Sequence, residues 1–140
     1  MTVAHNKIIA KLQMLDEYLG YLKELQKVNK KDFLADYHFF GLSEHYLHLS
    51  IEVLLDVAKL IIIAHQFPRP EEQKDALRVL YEKKVLNKKL YDQLAGISGF
   101  RNVLIHEYEH INKAIVYDYL QNNIVQFVDY KRQILRFLSK

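Results

Sequence analysis

The chain is 140 residues long, enough for one domain with a substantial core and too short for a catalytic domain joined to a regulatory one, so a single domain over 1–140 is expected. It has no cysteine, which excludes disulfides, thiol catalysis and zinc–cysteine sites and fits a reducing cytoplasm. A formal net charge of +3 and a pI near 8.9 permit RNA as a partner without singling it out, because nucleic-acid binders cluster their charge.

From Val3 to about Asn29, Ile8, Leu12, Leu15, Leu19, Leu22 and Leu25 recur at steps of three and four, with Lys, Glu and Gln between them. That period predicts an amphipathic helix. Lys7 and Lys11 break up the early apolar positions, which argues against a signal peptide. A second long helix is predicted from Asp36 to Gln66, with Tyr46, Leu49, Val53, Val57, Leu60, Ile61 and Ala64 facing inward and Gly41 weakening its first turns. Its most apolar stretch, Leu60 to Ala64, is far too short to span a membrane. Pro68 and Pro70 mark a loop, and Glu71 and Glu72 suit the first turn of a shorter helix through Tyr81. Asn87 is placed to cap a fourth helix carrying Leu90, Leu94, Ile97, Phe100 and Leu104. Asn112 caps a final one whose stripe comprises Val116, Tyr119, Leu120, Ile124, Phe127, Val128, Ile134, Leu135 and Leu138. With only four glycines and two prolines a sandwich or barrel is unlikely to form, and the pattern reads as all-α, an up-and-down bundle of four main helices plus a short additional one.

The chemistry-bearing stretch closes the fourth helix: Arg101-Asn102-Val103-Leu104-Ile105-His106-Glu107-Tyr108. An arginine forks onto a phosphate, a histidine moves protons near neutrality, and a tyrosine adds a hydroxyl. Asn102 and His106 are four apart and share a helix face, whereas Arg101 and His106 are five apart, about 140° around the helix. Arg101 must therefore use its length to reach what His106 touches, or the helix must kink or fray at its end.

The pattern of Arg, a polar residue, three more residues, His, any residue and Tyr resembles the signature of the HEPN superfamily, and within it the HepT-like toxins. The similarity extends to Gly99-Phe100 before the motif, to the segment Ser50 to Ala58 with its Glu52 and Asp56, and to Arg69-Pro70. The resemblance implies a metal-independent endoribonuclease without a cofactor, acting as a homodimer and paired with an MntA-like nucleotidyltransferase antitoxin. Arg101 and His106 take its catalytic positions, Asn102 the supporting polar position, and Tyr108 the position at which such antitoxins attach adenylate. RNA supplies its own 2′-hydroxyl nucleophile, so proton transfer by His106 and charge stabilisation by Arg101 are what the protein must add. One histidine cannot easily make both proton transfers, which makes a second copy across a dimer interface attractive. Adenylate on Tyr108 would set negative charge beside the phosphate site and repel substrate.

Each residue also has a structural reading. His106 can cap carbonyls at a helix end, and Tyr108 can pack at the edge of the bundle. Arg101 can form a salt bridge to Glu52 or Asp56, carboxylates one turn apart that repel unless a cation lies between them. Those acids could equally orient Arg101 for catalysis. Glu107 and His110 have the spacing of a di-iron ligand pair, but a second copy is missing, so no metal site is expected. His38, His45 and His48 lie near one another on the second helix and His5 and His65 are isolated, and solvent-facing or helix-end positions suffice for all of them. Lys83, Lys84, Lys88 and Lys89 form the densest basic cluster, either a solvated loop or a phosphate-steering patch. The functional alternative to a nuclease is a catalytically silent helical module that docks onto a nucleotidyltransferase and helps present its substrate.

Overall fold

In the computed structural model, residues 2–106 and 112–140 are described, with side chains for all of these except Ile105 and His106. The described residues form seven α-helices and one short 3-10 turn, with no strand among them.

Helix α1 (Val3–Gln26) is capped by Thr2, whose hydroxyl accepts from the His5 N–H at 3.1 Å, and it buries all six residues of the predicted stripe. It stops three residues earlier than its period suggests. Asn29 instead caps a separate short helix, α2 (Lys30–Ala35), with its side-chain oxygen accepting from Asp32 N–H at 2.9 Å. The sole fully buried side chain of α2 is Phe33, which meets Tyr117 edge-on. Asp36 then caps α3 (Tyr37–Ala64) through the His38 N–H at 2.9 Å.

Helix α3 is the axis of the bundle, touching α1, α2, α4, α6 and α7. It is therefore buried over more of its circumference than one stripe: Leu47, Ile51, Leu54, Leu55 and Ala58 are enclosed as well as Val53, Val57 and Ile61. Tyr46, Leu49 and Leu60 are half-buried, and Ala64, expected inside, is exposed at the helix end. A Schellman closure follows, with Phe67 N–H donating to Ile62 O at 2.9 Å and Gln66 N–H to Ile63 O at 3.3 Å, which places Gln66 at φ 55°.

The short helix predicted from Glu71 begins later, as a 3-10 turn (Gln73–Asp75) running into α4 (Ala76–Glu82). The expected fourth helix is two. Asn87 caps α5 (Lys88–Leu94) as anticipated, accepting from Leu90 N–H at 2.9 Å. Gly96, at φ +83°, then turns the chain in a conformation open to glycine, and α6 (Ile97–His106) starts anew. Finally Asn112 accepts from Ala114 N–H at 2.9 Å and opens α7 (Lys113–Leu138).

Helix directions follow from pairs along the axes. His5 meets His65, Lys11 meets Asp56 and Tyr21 meets Tyr46, so α1 and α3 are antiparallel. Lys113 lies over Phe40, Tyr130 donates to Leu54 O at 2.7 Å and Phe137 meets His65, so α3 and α7 run parallel. The segmented run α4–α6 must bring the chain back between them, completing an up-and-down bundle whose fourth member is broken. On α7 Val116, Leu120, Ile124, Phe127 and Ile134 are buried as expected, whereas Val128 and Leu135 face solvent. Tyr130 replaces them inside, its hydroxyl satisfied by the Leu54 carbonyl and its phenol pKa pushed up by burial.

Candidate active site

Gly96 sets the site. By restarting the helix it lays α6 against α3 and against the turn at Gln73–Asp75. Helix α6 then continues to His106, so Arg101 and His106 occupy one regular helix and the offset of about 140° holds.

The Arg101 side chain leaves the α6 surface toward α3 and is only 14% exposed. Its Nη1 donates to Glu52 Oε1 at 3.1 Å and to Gln73 Oε1 at 3.3 Å, and its Nη2 donates to Asn102 Oδ1 at 3.2 Å. A guanidinium has five N–H donors, so one Nη2 proton remains, together with Nε–H, which is buried and has no partner among the described residues. An arginine fixed on three sides with unused donors is suited to receive a phosphoryl oxygen without reorganising.

Of the anticipated site residues, Arg101, Asn102 and Glu52 come together. Asp56 does not join them. Its Oδ2 takes Lys11 Nζ at 3.2 Å, so Glu52 and Asp56 each have their own cation and Arg101 does not lie between them. The side chain of His106 and the whole of Tyr108, Glu107 and His110 lie outside the described residues.

Two members of the cluster were not anticipated. His48 Nε2 lies 3.4 Å from Glu52 Oε1, the same oxygen that Arg101 uses, and is half-buried rather than solvent-facing. Its spacing of four before Glu52 on a helix is a signal the sequence does carry. Gln73 has no such signal, because it reaches Arg101 from the turn after the proline loop. Elsewhere, His5 and His65 stack with ring centroids 6.1 Å apart, so they are neighbours despite their separation in sequence. The basic cluster disperses: Lys88 pairs with Asp92 at 2.7 Å, Lys83 lies over the Phe67 ring, and Lys84 lines a cleft with Arg136 and Lys140. Among the described residues no group of three or more His, Cys, Asp or Glu is placed to hold a metal ion, and no helix is long and apolar enough to cross a membrane.

The ribonuclease HepT-like family model matches residues 15–134, spanning the bundle and the Arg101 cluster. The chain belongs to this family. Among its HepT-like relatives, it is similar to the tRNA nuclease HepT of Aphanizomenon flos-aquae, 27% identical over 131 residues, covering 94% of this chain and 89% of that one. It is also similar to the mRNA nuclease HepT of Shewanella oneidensis, 27% identical over 81 residues, covering 58% of this chain and 61% of that one. The HepT-like fold recurs in the solved structure of a tri-AMPylated Shewanella oneidensis HEPN toxin in complex with its MNT antitoxin. The two share a TM-score of 0.85 at 21% identity, over 97% of this chain and 99% of that one. A toxin–antitoxin structure with AMP-PNP matches with the same TM-score and identity, over 92% and 97% of the two chains.

Proposed function

We propose that this HepT-like chain is the endoribonuclease toxin of a toxin–antitoxin pair. RNA is cut by attack of its own 2′-hydroxyl on the adjacent phosphorus: the 2′-oxygen loses its proton, the P–O5′ bond breaks, and the departing 5′-oxygen gains a proton. The products are a 2′,3′-cyclic phosphate and a 5′-hydroxyl. His106 transfers protons, a contribution of about 10²- to 10⁴-fold in rate, and Arg101 stabilises the charge that builds on the non-bridging oxygens. Asn102 and Glu52 hold the guanidinium in place. The nucleophile is internal to the substrate, so the reaction needs no metal-bound water. The observation that carries this reading is the capture of Arg101 by Glu52, Gln73 and Asn102 on the helix that also bears His106.

The reading extends to assembly. Two proton transfers and one motif histidine per chain favour a homodimer in which the two copies of α6 contribute to a composite site. Tyr108, two residues beyond His106, is the proposed acceptor of adenylate from an MntA-like nucleotidyltransferase. A phosphodiester there places negative charge where the substrate phosphate must come.

Expression of the chain alone should arrest growth. His106→Ala should abolish the arrest, and co-expression of a partner nucleotidyltransferase should relieve it. Purified protein should cleave RNA equally well with and without chelator. Undiminished arrest by the His106→Ala protein would remove the assigned mechanism, and absence of arrest by the wild-type chain would return the docking-module alternative. Tyr108→Phe should keep cleaving while escaping neutralisation.

A further inference from the structure

Beside the Arg101 cluster lies a cleft of about 360 Å³, a size that falls within the range of ligand pockets. Gln73 belongs to both: its Oε1 accepts from Arg101, and the residue lines the cleft with Lys59, Ile62, Ile63, Arg69 and Pro70. Lys59 lies seven residues along α3 from Glu52, about 10 Å by helical rise and within some 20° of a whole number of turns, so it stands on the same side of the helix. The cleft is thus an extension of the active site along α3.

Its lining is mixed in an informative way. Ile63 is 60% exposed, an apolar side chain left open beside the buried Ile62 and Ala76. Two cations, Lys59 and Arg69, line the same cleft. Neither Lys59 nor Arg69 has a carboxylate within 4.0 Å among the described residues. Of the acids at the rim, Glu72 is taken by Lys74 at 3.1 Å, and Glu71 has no cation within the same limit. Elsewhere near the site, cations are matched: Lys11 with Asp56 and Arg101 with Glu52. Among the described residues, two unpaired cations against the one unpaired carboxylate of Glu71 leave the cleft with an excess of positive charge beside an exposed apolar surface and next to Arg101, which is complementary to a nucleotide of single-stranded RNA, whose base seeks an apolar face and whose phosphate seeks a cation.

We infer that this cleft is the subsite for the nucleotide flanking the scissile phosphate, with Lys59 and Arg69 on its backbone phosphates and Ile63 and Pro70 against its base. The inference rests on the nuclease reading above. Gln73 links the two parts: its Oε1 is engaged by Arg101, so its amide N–H₂ is left to donate toward the occupant.

The test uses the full-length His106→Ala protein, which holds RNA without cutting it, and a fluorescent single-stranded ribo-oligomer whose binding is followed by anisotropy across a salt series. Replacing Lys59 and Arg69 together by Ala should weaken binding roughly ten- to a hundredfold at low salt. It should flatten the dependence of log affinity on log salt by about 1.4, since each lost contact to a single strand removes about 0.7. Lys59→Arg with Arg69→Lys should restore the slope. Both positions are exposed, and the circular dichroism spectrum should not change. An affinity within twofold of the parent and an unaltered slope would overturn the subsite, as would a charge removal that spares RNA but disrupts self-association or antitoxin binding, which would make the cleft a protein interface. The two readings separate cleanly. If the wild-type chain cleaves RNA while the double substitution leaves binding untouched, only the subsite falls. If the wild-type chain fails to cleave while the substitution still costs RNA affinity, the nuclease reading falls and the cleft is left as an RNA-binding site with no scissile phosphate beside it.

Discussion

Glu52 and Asp56 stand one turn apart on α3, and both meet a cation, yet their surroundings differ. Glu52 receives Arg101, a side chain 14% exposed that is also bound by Gln73 and Asn102, while His48 approaches the same carboxylate oxygen. Asp56 receives Lys11 alone among the described residues, with the two side chains 34% and 37% exposed. The first station is an oriented fork with several supports. The second is a solvated point charge on a flexible stem, of a kind whose net contribution is about 0–1 kcal/mol. Similar acids on one helix therefore serve different ends, and what separates them is how much of the cation each environment immobilises.

Arg101 is the position where this contrast should show most strongly. Arg101→Ala should lower the single-turnover rate of RNA cleavage by about 10²- to 10³-fold, the usual cost of one charge-stabilising donor. Arg101→Lys should recover little of that, because an ammonium cannot span Glu52, Gln73 and Asn102 while offering a further donor to phosphate. If lysine restored cleavage to within threefold, charge alone would matter and the fork would be irrelevant.

Glu52→Ala comes next. It leaves the guanidinium in its half-enclosed place without its anionic partner. Chemical denaturation should show a loss of about 1–2 kcal/mol, toward the low side for a hydrogen bond to a charged group because Glu52 is itself one-third exposed. Cleavage should fall by roughly tenfold through misorientation of Arg101, a displacement of the kind that proximity effects penalise. Unchanged stability together with an unchanged rate would reduce Glu52 to the standing of Asp56.

How far this contrast could be read in advance depends on which interactions are local. The apolar stripe of α1, most of that of α7 and the caps at Asn87 and Asn112 are set by neighbours within a few residues and appear where the sequence puts them, whereas Val128 and Leu135 on α7 face solvent and Tyr130 is buried instead. Arg101 and Glu52 were expected to pair, Glu52 being singled out with Asp56 as carboxylates one turn apart in an apolar run, and Arg101 does meet Glu52. The break at Gly96 was missed because Leu90, Leu94, Ile97 and Phe100 keep a helical period across it, so the stripe survives a turn of the chain. The short helix α2 was missed for a related reason: Phe33 is its sole fully buried side chain, too little to register as a period. The assignment of cations to Glu52 and Asp56 is a tertiary fact. Lys11 lies 45 residues from Asp56 and Arg101 lies 49 from Glu52, so the pairing depends on the antiparallel packing of α1 and the course of α6 after Gly96. The same holds for Gln73, 28 residues from Arg101, which depends on where the proline loop returns.

Asp56→Asn should do least. It removes the Lys11 ion pair without changing side-chain shape, and Lys11 can turn its ammonium to water, where a lysine is well hydrated. The expected loss is under about 1 kcal/mol, shrinking further in high salt as screening grows. Cleavage should stay within about twofold, because nothing in the Arg101 cluster touches Asp56. The pair Asp56→Asn and Glu52→Ala therefore works as an internal control: equal effects on rate would mean that the whole acidic face of α3 acts through its field. Unequal effects, large at Glu52 and small at Asp56, would mean that it acts through contact with one guanidinium. A field effect falls off slowly over the single turn that separates the two carboxylates, whereas of the two only Glu52 accepts a hydrogen bond from Arg101 Nη1, and the geometry therefore favours contact.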